Sequence, residues 1–101
     1  MKGYKVVYEE LKRYFSVWTY HGEIEYKIGE KTVPLDKCGP LAVFDTYKNA
    51  KKFGYSNVFE CEYELSKHKT MWNSRGHLLK SSFPKGTILA DSVTLIKKVK
   101  I

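Results

Sequence analysis

Cysteine is scarce in this 101-residue chain: Cys38 and Cys61 are the only two. Two thiols are too few for a disulfide framework, and in a reducing compartment such a pair stays reduced, so both read as structural. Apolar runs are short. None approaches the roughly 18 residues that a membrane-crossing helix needs, and the opening MKGYKVVYEE lacks the apolar block and cleavage site of a secretory signal. The expectation is a soluble, intracellular protein with no membrane partner. The seven glycines are scattered at turns rather than gathered into a phosphate-binding loop. His21, His68, His77 and the two cysteines supply metal donors without the close Cys or His pairs that typify zinc sites, so neither a metal nor a cofactor is expected. Acidic residues are missing from one region in particular: residues 66–101 contain no Glu and a single Asp, Asp91.

What is present is aromatic and apolar. Hydrophobic residues make up 43% and aromatics 15% of the chain, far from the composition of a disordered segment. A chain of this length supports one core, so residues 1–101 are read as a single domain without internal repeats or linkers.

YKVVYE (4–9) and RYFSVWTY (13–20) are β-branched and aromatic, hence strand-like, with Leu11 and Lys12 in the connection. HGEIEYKI alternates Ile24, Tyr26 and Ile28 against Glu23, Glu25 and Lys27, then breaks at Gly29. LAVF (41–44) is a buried-strand run. Asp45 and Thr46 can cap a helix over about residues 46–53, with Tyr47, Ala50 and Phe53 on one face, lysines on the others and Gly54 as the stop. SNVFECEYELS places Phe59, Cys61, Tyr63 and Leu65 on one side and Glu60, Glu62 and Glu64 on the other, the period of a half-buried strand. Residues 66–76 show no period and read as a long loop. HLLKSSF reads as a short strand and PKG as a turn. TILADSVTLIKKVKI closes the chain as a strand pattern that breaks near Ala90 and Asp91. Six or seven strands and one short helix predict an α+β domain: a mostly antiparallel sheet or partly closed barrel.

GPLAVFDTYKNAKKFGYSNVFECEYEL (39–65), together with PKGTILADSVTLIKKVK, resembles small uncharacterised proteins of phage and environmental origin: a Gly-Pro strand leading to a Phe-Asp-Thr helix, an acidic strand and a closing PKGT strand. That resemblance implies a compact α+β fold, a viral or mobile-element origin with the host cytoplasm as location, and no stated activity. A fainter resemblance, to the ADP-ribosyltransferase type of fold, implies a late catalytic Glu, which residues 66–101 do not supply. Ser16 and Arg13 would be its central serine and basic partner, and both residue types on strands are ordinarily structural. No catalytic residue is therefore assigned.

Charge carries the functional expectation. Residues 1–65 hold ten basic and ten acidic residues, whereas residues 66–101 hold eight basic residues against Asp91 alone. The whole excess of seven positive charges lies in the last third. A concentrated positive field favours an acidic macromolecular partner, nucleic acid above all. Lys67, Lys69 and Arg75 surround Trp72, and cations interleaved with an aromatic ring suit a single strand whose phosphates meet the lysines and whose bases stack. Lys80, Lys85, Lys97, Lys98 and Lys100 extend that field. Two readings compete: Trp72 folds back over the core above a merely solvated face, or Glu60, Glu62 and Glu64 pair with Lys97 or Lys98 and reduce the field. A third class is protein association. Strands 4–8 and 14–20 carry apolar residues on both faces, so an exposed Tyr and Trp surface would mark a homodimer unless the sheet closes on itself.

Overall fold

A computed structural model describes residues 1–16, 24–35, 38–52, 57–73, 76–78 and 83–99. Among them are nine strands and one helix: β1 (Lys2–Glu10), β2 (Arg13–Ser16), β3 (Glu25–Tyr26), β4 (Lys31–Thr32), β5 (Leu41–Phe44), α1 (Tyr47–Lys51), β6 (Asn57–Leu65), β7 (Met71–Asn73), β8 (Gly76–Leu78) and β9 (Thr87–Lys98). All pairings are antiparallel. β1, β5, β9 and β6 pair in a ring, each with the next, and so close a four-stranded barrel. β2 continues from the far half of β1, β3 from β2, and β4 from the far half of β9. The expected α+β domain, a mostly antiparallel sheet or partly closed barrel, is present as a closed four-stranded barrel with outer strands, and among the described residues it has more strands than the six or seven read from sequence.

Closure depends on two irregularities in β9. Opposite it, β6 steps from Glu60 to Cys61 while β9 steps from Lys97 to Leu95, and from Glu64 to Leu65 while β9 steps from Ser92 to Ala90. Ile96 and Asp91 are thus extra residues, β-bulges that bend a strand and shift which side chains face inward. The break expected near Ala90 and Asp91 is the second bulge, inside one continuous strand.

Inside the barrel lie Val7, Leu41, Val43, Phe59, Cys61, Tyr63, Ala90, Val93 and Leu95, closed at the β2–β3 side by Ile24 and Tyr26. Leu65, expected among them, is the last residue of β6 and is 57% exposed. Ile28 is likewise outside, since the chain turns there, with Gly29 at φ +81° and Glu30 N–H donating to the Lys27 carbonyl at 3.0 Å. Leu11 and Lys12 both take positive φ, 52° and 63°, the backbone that a tight turn between twisted strands demands.

α1 covers the outer face, where Val6, Phe44, Ala50 and Val58 form a second apolar cluster with Tyr4, Tyr47 and Val99 around it. Thr46 caps it, its Oγ1 accepting the Asn49 N–H at 3.1 Å. The helix is shorter than the expected 46–53 and ends at Lys51; Phe53 and Gly54 lie outside the described residues. Residues 66–76, read as a loop, contain β7 and the start of β8, a hairpin tied to the body by the Gly39–Trp72 bridge.

Candidate nucleic-acid interface

Four of the five described lysines of the basic third fall into two groups, with Lys85 apart from both. Lys67 and Lys69 follow the C-terminal end of β6, where Leu65 pairs with Ala90; Lys97 and Lys98 stand at its other end, where Phe59 pairs with Lys98. Six residues of strand separate those pairs, about 20 Å at roughly 3.3 Å per residue. The two groups do not meet. Arg75, Lys80 and Lys100 lie outside the described residues.

Trp72 is half-buried. Its backbone exchanges hydrogen bonds with Gly39, at 2.6 and 3.1 Å. Its ring lies so close over Gly39 that a Cβ there would come within 3.1 Å, and the His68 ring meets it edge-on at 4.6 Å. Gly39 is what allows this approach. The ring is folded against the body, held by Gly39 and His68.

Two carboxylates of the acidic strand hold lysines, one of them, Glu60 with Lys97, as the cross-strand reading anticipated, the other with Lys31 of β4. Glu60 lies 3.6 Å from Lys97. Glu64 lies 2.7 Å from Lys31 and accepts the Ser92 hydroxyl, which hold its carboxyl below the usual range, Lys31 contributing most. Glu62 faces the N-terminal ammonium at 3.4 Å. At the exposures involved such pairs contribute little stability, but they offset local positive charge.

A different convergence emerges around α1. Lys48 and Lys51 are exposed on it, and Lys52 is exposed just past its end. On one flank, Lys52 and Asn49 share a hollow of about 240 Å³ with Pro84 and Lys85 of the PKG turn. That turn is held tightly: Gly86 sits at φ +85° against Asp45 and Asn49, where a Cβ would collide at 2.4–2.5 Å. On the other flank, Tyr4, Tyr47, Glu60, Lys97, Lys98 and Val99 line an open hollow of about 710 Å³. The Tyr4 and Tyr47 rings meet edge-on at 6.2 Å. Six lysines thus surround α1, and the carboxylates among them are Asp45, which accepts from the Asn49 side chain, and Glu60, which holds Lys97. Beyond Tyr4 a second hollow of about 560 Å³ has a mixed lining, with Lys2 and Lys97 against Asp45, Glu60 and Glu62. Lys85, Lys97 and Lys98 of the basic third are therefore on the α1 side.

Sequence reasoning missed this surface because it weighed the lysines at α1 as three of the ten basic residues of a balanced region. The signal was available. Lys48, Lys51 and Lys52 precede the very strand whose N-terminal end receives Lys97 and Lys98.

The residues considered for chemistry have structural employment. Ser16 Oγ accepts the buried Ile24 N–H at 3.2 Å, and Arg13 grips Glu25 with two bonds of 3.1 and 2.7 Å, which raises the Arg13 pKa and lowers that of Glu25. Burial pushes the Cys61 thiol up to about 11, the reverse of a nucleophile's tuning. Among the described residues no three His, Cys, Asp or Glu side chains are grouped to hold a metal ion, and no helix is long and apolar enough to cross a membrane. Barrel closure buries Val7 of β1, and α1 covers Val6 on its outer face; residues 17–20 of the second aromatic strand lie outside the described residues. The chain matches no family model, no curated protein and no solved structure.

Proposed function

We propose that this chain is a non-enzymatic accessory domain that binds an acidic macromolecule, single-stranded nucleic acid in preference, through the basic surface centred on α1 and the end of β9. One observation carries the reading: lysines from three separated segments, 48–52, 85 and 97–98, surround one helix beside a hollow walled by Tyr4 and Tyr47. Cations spaced around half-buried rings that border an open hollow suit a flexible strand, because lysines follow the phosphates while the open side of a tyrosine accepts a base. The loop at residues 66–73 takes a secondary place, since Trp72 is engaged by Gly39 and His68. The resemblance of residues 39–65 to phage proteins accords with an accessory role of viral or mobile-element type.

A fluorescent oligothymidylate titrated at low and high salt tests this. Binding is expected to weaken steeply with salt. The double variant Lys52→Glu/Lys98→Glu should lose on the order of tenfold or more in affinity and flatten the logarithmic salt slope by about 2. Lys67→Glu/Lys69→Glu should stay within about twofold. Binding that ignores salt, or a larger loss in the second variant, would contradict the proposal.

A further inference from the structure

The four seams of the barrel are not equal. β6 pairs with β9 at seven positions and with β1 at six, and β5 pairs with β9 at four, whereas β1 and β5 share the single pair Tyr4–Phe44. Beside that pair β1 carries Gly3, where a Cβ would stand 3.0 Å from the Phe44 carbonyl and 2.9 Å from the Tyr63 ring. The strands approach closely with little ladder between them. One residue on, at an inward position, is a lysine.

Lys5 is 6% exposed, and its Nζ crosses the seam to donate to the Ala42 carbonyl at 2.6 Å. It also lies over the Tyr26 ring, 5.1 Å from the centroid. No carboxylate is paired with it among the described residues. The groups that act on it are the Cys61 thiol of β6 and the Tyr26 ring of β3; Tyr63 of β6 and Tyr14 of β2 belong to the same core, to which β5 and β9 bring Leu41, Val43, Ala90, Val93 and Leu95 among the described residues. A cation held there keeps one bond to protein oxygen and loses most of its hydration, a costly arrangement unless it leaves.

We infer that the β1–β5 seam is where the barrel opens, and that Lys5 is its latch: uncharged, the amine closes the seam on Ala42; charged, it favours the open form in which it reaches water. Burial lowers the Lys5 pKa to about 8, with the nearby Cys61 acting weakly the other way, so the switch operates just above neutral pH. The sign is fixed by that direction. A closed form with the lower pKa binds fewer protons than the open one, so closure strengthens as pH rises. The inference rests on barrel geometry and is independent of the partner-binding proposal.

Amide hydrogen exchange on the whole chain at pH 7 and pH 9, expressed as protection factors, tests it. Protection at Tyr4 and Phe44 is expected to rise about tenfold between those values, while amides of the β6–β9 ladder, which open only globally, remain more protected at both. In Lys5→Met the rise at the seam should vanish. A second measurement uses wild-type protein alone: reductive methylation of Lys5, followed by mass spectrometry, should proceed faster than global unfolding permits. Seam amides as protected as those of β6–β9, or Lys5 labelling limited by global unfolding, would overturn the latch.

Discussion

Phe59→Ala is expected to cost about 3–5 kcal/mol of folding stability, the range for removing a fully buried aromatic and leaving a cavity. Phe59 is 0% exposed on the strand that joins β1 to β9, and the Tyr14 ring packs on it edge-on at 4.9 Å. Such a loss is a large fraction of the 5–15 kcal/mol of a typical domain. Leu65→Ala, on the same alternating set in the sequence, is expected to change stability by no more than about 0.5 kcal/mol because its side chain is exposed. Urea unfolding of the two variants checks both. Equal losses would mean that the alternation runs unbroken through residue 65 and that Leu65 reaches the core.

The second large effect is a pH dependence of global stability. The folded-state pKa of Lys5, about 8, lies below its ordinary value of 10.5. Between those values the unfolded chain binds more protons, so the Lys5 penalty is full below pH 8 and fades as pH rises toward 10.5. At 1.36 kcal/mol per unit, it amounts to about 3 kcal/mol. Cys61 acts oppositely: its pKa rises from 9.0 to about 11, so the stability it contributes below pH 9 is lost from pH 9 upward. Tyr26 and Tyr63 are also raised by burial and subtract further in the alkaline range. Wild-type stability should therefore climb between pH 8 and pH 9, level, and then fall. Lys5→Met should lack the climb and keep the fall, although it leaves the Ala42 carbonyl without its donor. Denaturant midpoints from pH 6.5 to 10.5 distinguish the two profiles, and a wild type that is flat from pH 7 to pH 9 would refute the assignment.

Local patterns in the sequence translated well where one face of an element is buried and the other wet. β6 followed its alternation from Phe59 to Tyr63, LAVF became a wholly buried strand, and Thr46 capped α1. The failures have physical causes. Bulges at Asp91 and Ile96 answer to the curvature of a closed ring rather than to any local preference. The β7–β8 hairpin has too few residues for a period. Lys5 reads as an ordinary surface lysine because only closure, a long-range event, turns position 5 inward. The candidate site was legible in composition but not in place: positive charge in the last third was plain, whereas its division between two ends of β6–β9, and its union with the lysines of α1, depend on the topology.

Mapping where a single strand lands tests the functional account most directly. With a ¹⁵N-labelled chain and an oligothymidylate about ten nucleotides long, within the span of a small binding site, amide shifts should concentrate at Tyr47–Lys52, Lys85 and Lys97–Val99 and should fade on adding salt. Shifts gathered at residues 67–73 instead, or none at any salt concentration, would contradict it.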